Sequence, residues 1–234
     1  MCGIFAIFSS SLPEADLRRE LISCSSRLRH RGPDWSGYTV IPAEHARPLS
    51  HGIAHERLAI MDPESGSQPL VSTDGSIIVA ANGEIYNYKE LYDGLYTPYH
   101  PQTGSDCEVI LPLYADLGPS IELPRKLRGM FSFILYDKTH DLFYVVRDHM
   151  GITPLYIGWG NDGSVYVASE MKSLIGECTK FQWFPPGHVY CNKGENAGKF
   201  IRWFTPSWAP EMLPGRPPPT GTYNAVGAMR FSDS

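Results

Sequence analysis

Apolar residues recur along this chain in two rhythms. From Cys2 to Phe8 they run almost unbroken, which predicts a buried strand at the start of the fold. Leu17, Leu21, Cys24 and Leu28 then recur three or four apart, so one face of a helix points into a core and carries Cys24. Ser11-Leu12-Pro13-Glu14 has capping-box spacing and an early proline, which predicts the start of that helix. The turn-rich Arg29-His30-Arg31-Gly32-Pro33-Asp34 predicts its end. Runs rich in Val, Ile, Phe and Tyr predict strands at Gly52–Ile60, Ser76–Ala81, Met130–Tyr136, Leu142–Val146 and Val165–Ala168. Helices are predicted at Tyr88–Leu95, Cys107–Leu117 and Glu170–Ile175. A strand-rich middle with few helices is the pattern of a layered α+β domain.

The pattern breaks near Trp203. Six prolines lie between Pro206 and Pro219, and Gly215 to Ser234 has little apolar periodicity. Residues 205–234 therefore read as a proline-rich tail or linker, and residues 2–204 as one domain. A hydrophobic fraction of 42% marks a folded chain, and a net charge of −5 with no basic block argues against a nucleic-acid partner. The five cysteines are scattered with no Cys-x-x-Cys pair, which disfavours a disulfide framework or zinc site and suits a reducing compartment. The run from Cys2 to Phe8 is too short for a signal peptide or membrane span. The expectation is a soluble cytoplasmic protein without a membrane partner.

The candidate chemistry starts at Cys2. If Met1 is removed, Cys2 carries both a thiol and a free α-amine of ordinary pKa ~7.7–8, a nucleophile and its base on one residue. A buried strand cysteine is the plainer reading. Arg57, in an otherwise apolar strand, suits a bidentate carboxylate or an internal ion pair with Glu56 or Asp62. Asn82-Gly83 reads as a tight turn ending a strand, or as an amide beside an open backbone N–H, the two donors an oxyanion needs. Asp106 is a helix N-cap or a partner for an ammonium group. Asp148-His149 suggests an acid–base pair, but the neighbouring strand end and turn favour a structural role.

These segments together resemble the glutaminase domain of glutamine-hydrolysing asparagine synthetase, a class II glutamine amidotransferase. The resemblance rests on Cys2-Gly3-Ile4-Phe5, Arg29 to Gly37, His55 to Ile60, Gln68-Pro69-Leu70, Asn82 to Asn87, Thr103 to Ile110 and Gly129 to Phe133. Arg147-Asp148-His149, Ala168 to Lys172 and Phe184 to His188 complete it, in one order over residues 2–204. Asp34-Trp35-Ser36-Gly37 favours asparagine synthetase within the class.

The resemblance implies a four-layer αββα sandwich of the N-terminal-nucleophile hydrolase type. It implies that Cys2 is acylated by glutamine and that Asn82 and Gly83 hold the oxyanion. Arg57 would bind the substrate carboxylate, Asp106 and Glu84 its ammonium group, and Arg31 would support the nucleophile. No metal or cofactor is implied for glutamine hydrolysis; ATP and Mg²⁺ belong to a synthetase domain whose Ser-Gly-Gly-x-Asp-Ser loop does not occur here. Glutamine is the implied partner, and a separate ammonia-accepting chain or a homodimer is compatible with it. The alternatives are a non-catalytic remnant or partner-binding protein, and another class II amidotransferase. Residues 42–50 read as a longer surface loop without an assigned role.

Overall fold

The computed structural model describes residues 1–60 and 65–206. Twelve strands form two wholly antiparallel six-stranded sheets. The first contains β1 (Gly3–Ser10), β2 (Trp35–Ile41), β3 (Ser50–Arg57), β8 (Tyr156–Trp159), β9 (Val165–Ala168) and β10 (Lys180–Trp183), in the order β10-β8-β9-β1-β3-β2. The second contains β4 (Leu70–Val71), β5 (Ile77–Ile85), β6 (Gly129–Asp137), β7 (Leu142–Arg147), β11 (His188–Cys191) and β12 (Phe200–Arg202), in the order β12-β11-β7-β6-β5-β4.

Alternation along each strand sorts residues between two faces. Ile4, Ala6 and Phe8 of β1 meet Ile78 and Ala80 of β5 and Ile134 and Tyr136 of β6 in one core between the sheets. The intervening residues face outward. Phe5, Ile7 and Ala54 pack under α1 (Glu14–Ser26), which buries Leu17, Leu21 and Cys24. Val79, Phe131, Phe133 and Leu135 pack under the other outer layer, formed by α2 (Tyr88–Asp93), α3 (Ile110–Leu117) and α4 (Glu122–Lys126). Helices therefore cover both outer faces, and the expected αββα sandwich is the observed architecture. Truncating one of its fully buried leucines to alanine costs about 2–5 kcal/mol.

Several local readings need correction. Ser11 does not cap α1: Pro13 occupies the N-cap without a side-chain bond, and the Ser11 hydroxyl donates to Asp162 Oδ2 at 3.0 Å. The helix expected at Glu170–Ile175 is a short 3₁₀ turn at Met171–Ser173. The strand expected to reach Ile60 stops at Arg57. The Asn82-Gly83 turn is absent, because both residues lie inside β5 and pair with Ser132 and Phe131 of β6. Gly83 holds φ at +134°, and a Cβ there would stand 1.9 Å from the Met130 carbonyl oxygen. Glycine serves here for a close strand approach, not for a reversal. The loop over residues 42–49 is as expected, while the tail reading lies outside the described residues beyond Pro206. Among the described residues no helix is long and apolar enough to cross a membrane.

Candidate active site

The rows that build the inter-sheet core change character at one end of the sandwich. Phe8, Ala6 and Ile4 lead to Cys2; Ile53 leads to His55 and Arg57; Ala80 leads to Asn82 and Glu84; and Ile134 leads to Ser132. The phase is unchanged, but the residues are now polar. There a cavity of about 100 Å³ is lined by Met1, Cys2, Arg57, Asn82, Gly83, Glu84 and Asp106, with Leu58, Gln68, Cys107 and Met130 among its walls. Six of the seven residues expected to form the site thus share one cavity.

Arg31, the seventh, stands behind it in the 3₁₀ turn Arg29–Arg31. Its Nε donates to the Cys2 carbonyl at 2.9 Å and its Nη1 to Glu170 Oε1 at 3.0 Å. Burial works to raise the Glu170 pKa, but hydrogen bonds from Arg31, Lys172 and His30 outweigh it and keep that carboxylate below its usual range. The Cys2 carbonyl is thereby fixed.

The Cys2 thiol lies against Leu58, whose N–H donates to Sγ at 3.4 Å and whose carbonyl is 3.6 Å from it. Burial raises the thiol pKa, opposed by the Leu58 hydrogen bond and by the positive charges of the chain terminus, Arg57 and Arg31. A thiol held above its ordinary value needs a proton acceptor before it can attack at neutral pH. Met1, itself half-exposed, still occupies the amine of Cys2 in a peptide bond.

Arg57 does not pair with Glu56, since adjacent strand residues face opposite ways. Glu56 lies on the α1 side, where it accepts from Arg29 Nη1 at 3.2 Å and from the Ser36 hydroxyl. Arg57 is buried and faces the cavity. The Asp62 alternative falls outside the described residues.

Backbone direction along β5 supplies the rest. Phe131 accepts from Asp148 N–H on the β7 side at 2.7 Å, so its pair with Gly83 is a non-bonded one. Ala81, Gly83 and Ile85 then turn their backbone groups toward the other edge of β5, where β4 has ended at Leu70. Side chains take those groups over. Ala81 N–H donates to Gln68 Oε1 at 2.7 Å, its carbonyl lies 2.9 Å from His55 Nε2, and Ile85 N–H donates to Asp106 Oδ2 at 2.5 Å. Gly83 occupies the same edge at the cavity wall. The alternate residue Asn82 has no exposed surface, and neither atom of its amide has a hydrogen-bond partner among the described residues.

Asp106 is not the N-cap: that place belongs to Ser105, which makes no side-chain cap bond, and the Asp106 carboxylate instead braces β5 across the chain. Burial raises its pKa, with the Ile85 hydrogen bond acting against that and nearby Glu84 adding to it. Cys107 next to it is buried, with Sγ 3.9 Å from the Gly83 carbonyl. Asp148 and His149 line no part of the cavity. Asp148 accepts from Met150, Ile152 and Thr153 N–H and from the Thr153 hydroxyl, which bears out the structural reading.

Three supporting residues escaped a role in the sequence reading. Gln68 and His55 were visible only as motif members, because their backbone partner in β5 is distant in the chain. The third is Glu108, fully buried, which accepts from Tyr99 and Thr103 hydroxyls and from Gln102 and Thr103 N–H at 2.6–2.8 Å. It ties down the loop that delivers Asp106. Among the described residues no group of three or more His, Cys, Asp or Glu is placed to hold a metal ion.

A family model described as glutamine amidotransferase domain matches residues 1–184. The glutamine-hydrolyzing asparagine synthetase of Sandersonia aurantiaca is 49% identical over 221 residues, covering 93% of this chain and 39% of that protein. Asparagine synthetase 3 of Arabidopsis thaliana is 48% identical over 217 residues, covering 93% of this chain and 35% of that protein. The chain thus spans little more than a third of the length of these relatives. Among solved structures, glutamine phosphoribosylpyrophosphate amidotransferase from B. subtilis superposes with a TM-score of 0.68 at 24% identity. That match covers 88% of this chain and 50% of the other, and it speaks to fold.

Proposed function

The chain belongs to the glutamine amidotransferase domain family, and we propose that it hydrolyses glutamine to glutamate and ammonia through a thioester on Cys2. The observation that carries this reading is Asn82, a fully buried amide with neither polar atom paired among the described residues, on the wall of the cavity that holds the Cys2 thiol. An unpaired buried amide costs about 1–3 kcal/mol, which a bound partner offsets.

Removal of Met1 frees the α-amine, which accepts the thiol proton as Sγ attacks the side-chain carbonyl carbon of glutamine. Asn82 Nδ2 and Gly83 N–H then receive the oxyanion. The proton returns to the departing nitrogen, ammonia leaves, and water cleaves the thioester to release glutamate. Arg57 pairs with the substrate α-carboxylate, and Asp106 with Glu84 holds its ammonium group, so both ends of the amino acid are read by opposite charge. By analogy with the relatives' names, the ammonia serves asparagine synthesis. The aspartate, ATP and Mg²⁺ of that reaction belong to a portion outside this chain.

The test joins an intact mass with an assay for glutamate from glutamine. Protein lacking Met1 is expected to be active, and Cys2→Ala to lose at least ~10⁴-fold in kcat with its melting temperature unchanged. Turnover by the alanine variant would remove Cys2 from the mechanism. An inactive processed protein would leave a binding role for the fold.

A further inference from the structure

We infer that Gln68 and His55 are positioning residues that set where the Asn82 amide and the Gly83 N–H stand relative to Cys2. The inference rests on the proposed oxyanion role of Asn82-Gly83 and extends it to two residues that this role does not itself name.

The argument starts at the edge of β5. Paired to β4 only through Leu70–Val79 and Val71–Ile78, this strand keeps β6 on one side but has no strand on its other edge for the residues that matter. An unsupported edge is free to twist, and its N–H and C=O groups need partners. At Ala81, immediately before Asn82, both backbone groups are taken by side chains. Gln68, buried, accepts the N–H at 2.7 Å. His55, without exposed surface, meets the carbonyl at 2.9 Å. Since a carbonyl only accepts, His55 carries its proton on Nε2, and Nδ1 is the nitrogen without a partner.

The two anchors come from different places. Gln68 precedes β4 and belongs to the same sheet's edge. His55 sits in β3 of the opposite sheet, two residues before Arg57, and β3 pairs with β1 through Ile4–His55. One hydrogen bond thus ties the sheet carrying Cys2 and Arg57 to the strand carrying Asn82 and Gly83. An oxyanion donor works only within a few tenths of an ångström of its place. Burial lowers the His55 pKa to about 4, so this tie is made by a neutral ring at working pH.

The experiment uses the processed protein, with active sites counted by stoichiometric alkylation of Cys2 with an electrophilic glutamine analogue. His55→Gln keeps an N–H near the position of Nε2, whereas His55→Asn keeps an amide that falls short of Ala81. Gln68→Glu keeps the acceptor and Gln68→Met removes it. The expected result is a kcat per active site ~10-fold or more lower in His55→Asn and Gln68→Met, with KM for glutamine within about threefold and recovery in the Gln and Glu variants. A role confined to folding would reduce the number of titrated sites and leave kcat per site intact in all four. That outcome, with Asn82→Ala impaired, overturns the inference and leaves the oxyanion reading standing. If Asn82→Ala itself keeps wild-type kcat, the oxyanion reading is what fails. Combining His55→Asn with Asn82→Ala adds a further check: the His55 effect should shrink to the share carried by the Gly83 N–H, and full additivity of the two losses counts against the inference.

Discussion

Two polar regions of this molecule look alike in sequence and behave oppositely in structure. The turn after β7 is saturated. Arg147 donates to the carbonyls of Thr153, Phe184 and Gly151 at 2.6–2.8 Å and lies over the Trp183 ring, while Asp148 receives four hydrogen bonds from residues 150–153. The open edge of β5 is selectively unsaturated: Ala81 and Ile85 have partners, and the Asn82 amide between them has none. Both regions are buried. Charged side chains whose polar atoms are all bonded within the fold have little left to offer a ligand, whereas a buried amide without a protein partner has its bonding capacity in reserve. Satisfaction, not residue type, separates scaffold from site.

Three substitutions or conditions press on that contrast. The largest effect should come from Asn82→Ala, which removes no hydrogen bond made within the described residues. We expect kcat to fall about 10²- to 10³-fold while the melting temperature holds or rises, as read by steady-state kinetics and calorimetry. A large loss of stability would show that the amide has a partner after all. Asp148→Ala should do the reverse, lowering the unfolding free energy in urea by about 3–5 kcal/mol because it strips four bonds and leaves Arg147 buried without its neighbouring charge. Activity per folded molecule should stay within about threefold, and a specific loss of kcat would move this turn into the site.

The smallest effect is one of pH. Burial holds His55 and His51 at about 4 in the fold, against 6.5 for the ordinary side chain. The unfolded chain therefore binds protons first as pH falls. Stability is complete above pH 6.5 and declines toward pH 4, by up to ~1.4 kcal/mol per pH unit for each histidine. Urea titrations across that window should show the decline, and His55→Gln should flatten its share. An unchanged slope in that variant would mean that His55 titrates freely.

Much of this was readable beforehand, for physical reasons. The run from Cys2 to Phe8 and the Leu17, Leu21, Cys24 spacing are local patterns, and they fixed β1 and α1 nearly as found. The seven site residues came through motif resemblance, and six of them share the cavity. What local pattern missed depends on partners remote in sequence. Asn82-Gly83 reads as a turn until β6, about fifty residues later, shows that the Met130 carbonyl occupies the space a side chain would need. Ser11 looks like a cap until Asp162 appears beside it. The roles of Gln68, His55 and Glu108 are bonds to backbone or loop groups, and no spacing rule announces them. One signal was nevertheless present: polar His55, Asn82 and Ser132 stand in the inward phase of otherwise apolar strands.

The bond from Arg31 to the Cys2 carbonyl bears on how the protein is to be handled in the laboratory. It holds the chain just ahead of β1, on the far side of Cys2 from its amine, so an extension joined to that amine leaves this bond available. An affinity tag fused ahead of Cys2 should then yield protein that purifies and melts normally, yet lacks the free amine that the proposed mechanism uses as its base. Good behaviour on a column would say nothing about competence, and the purification handle belongs at the other terminus.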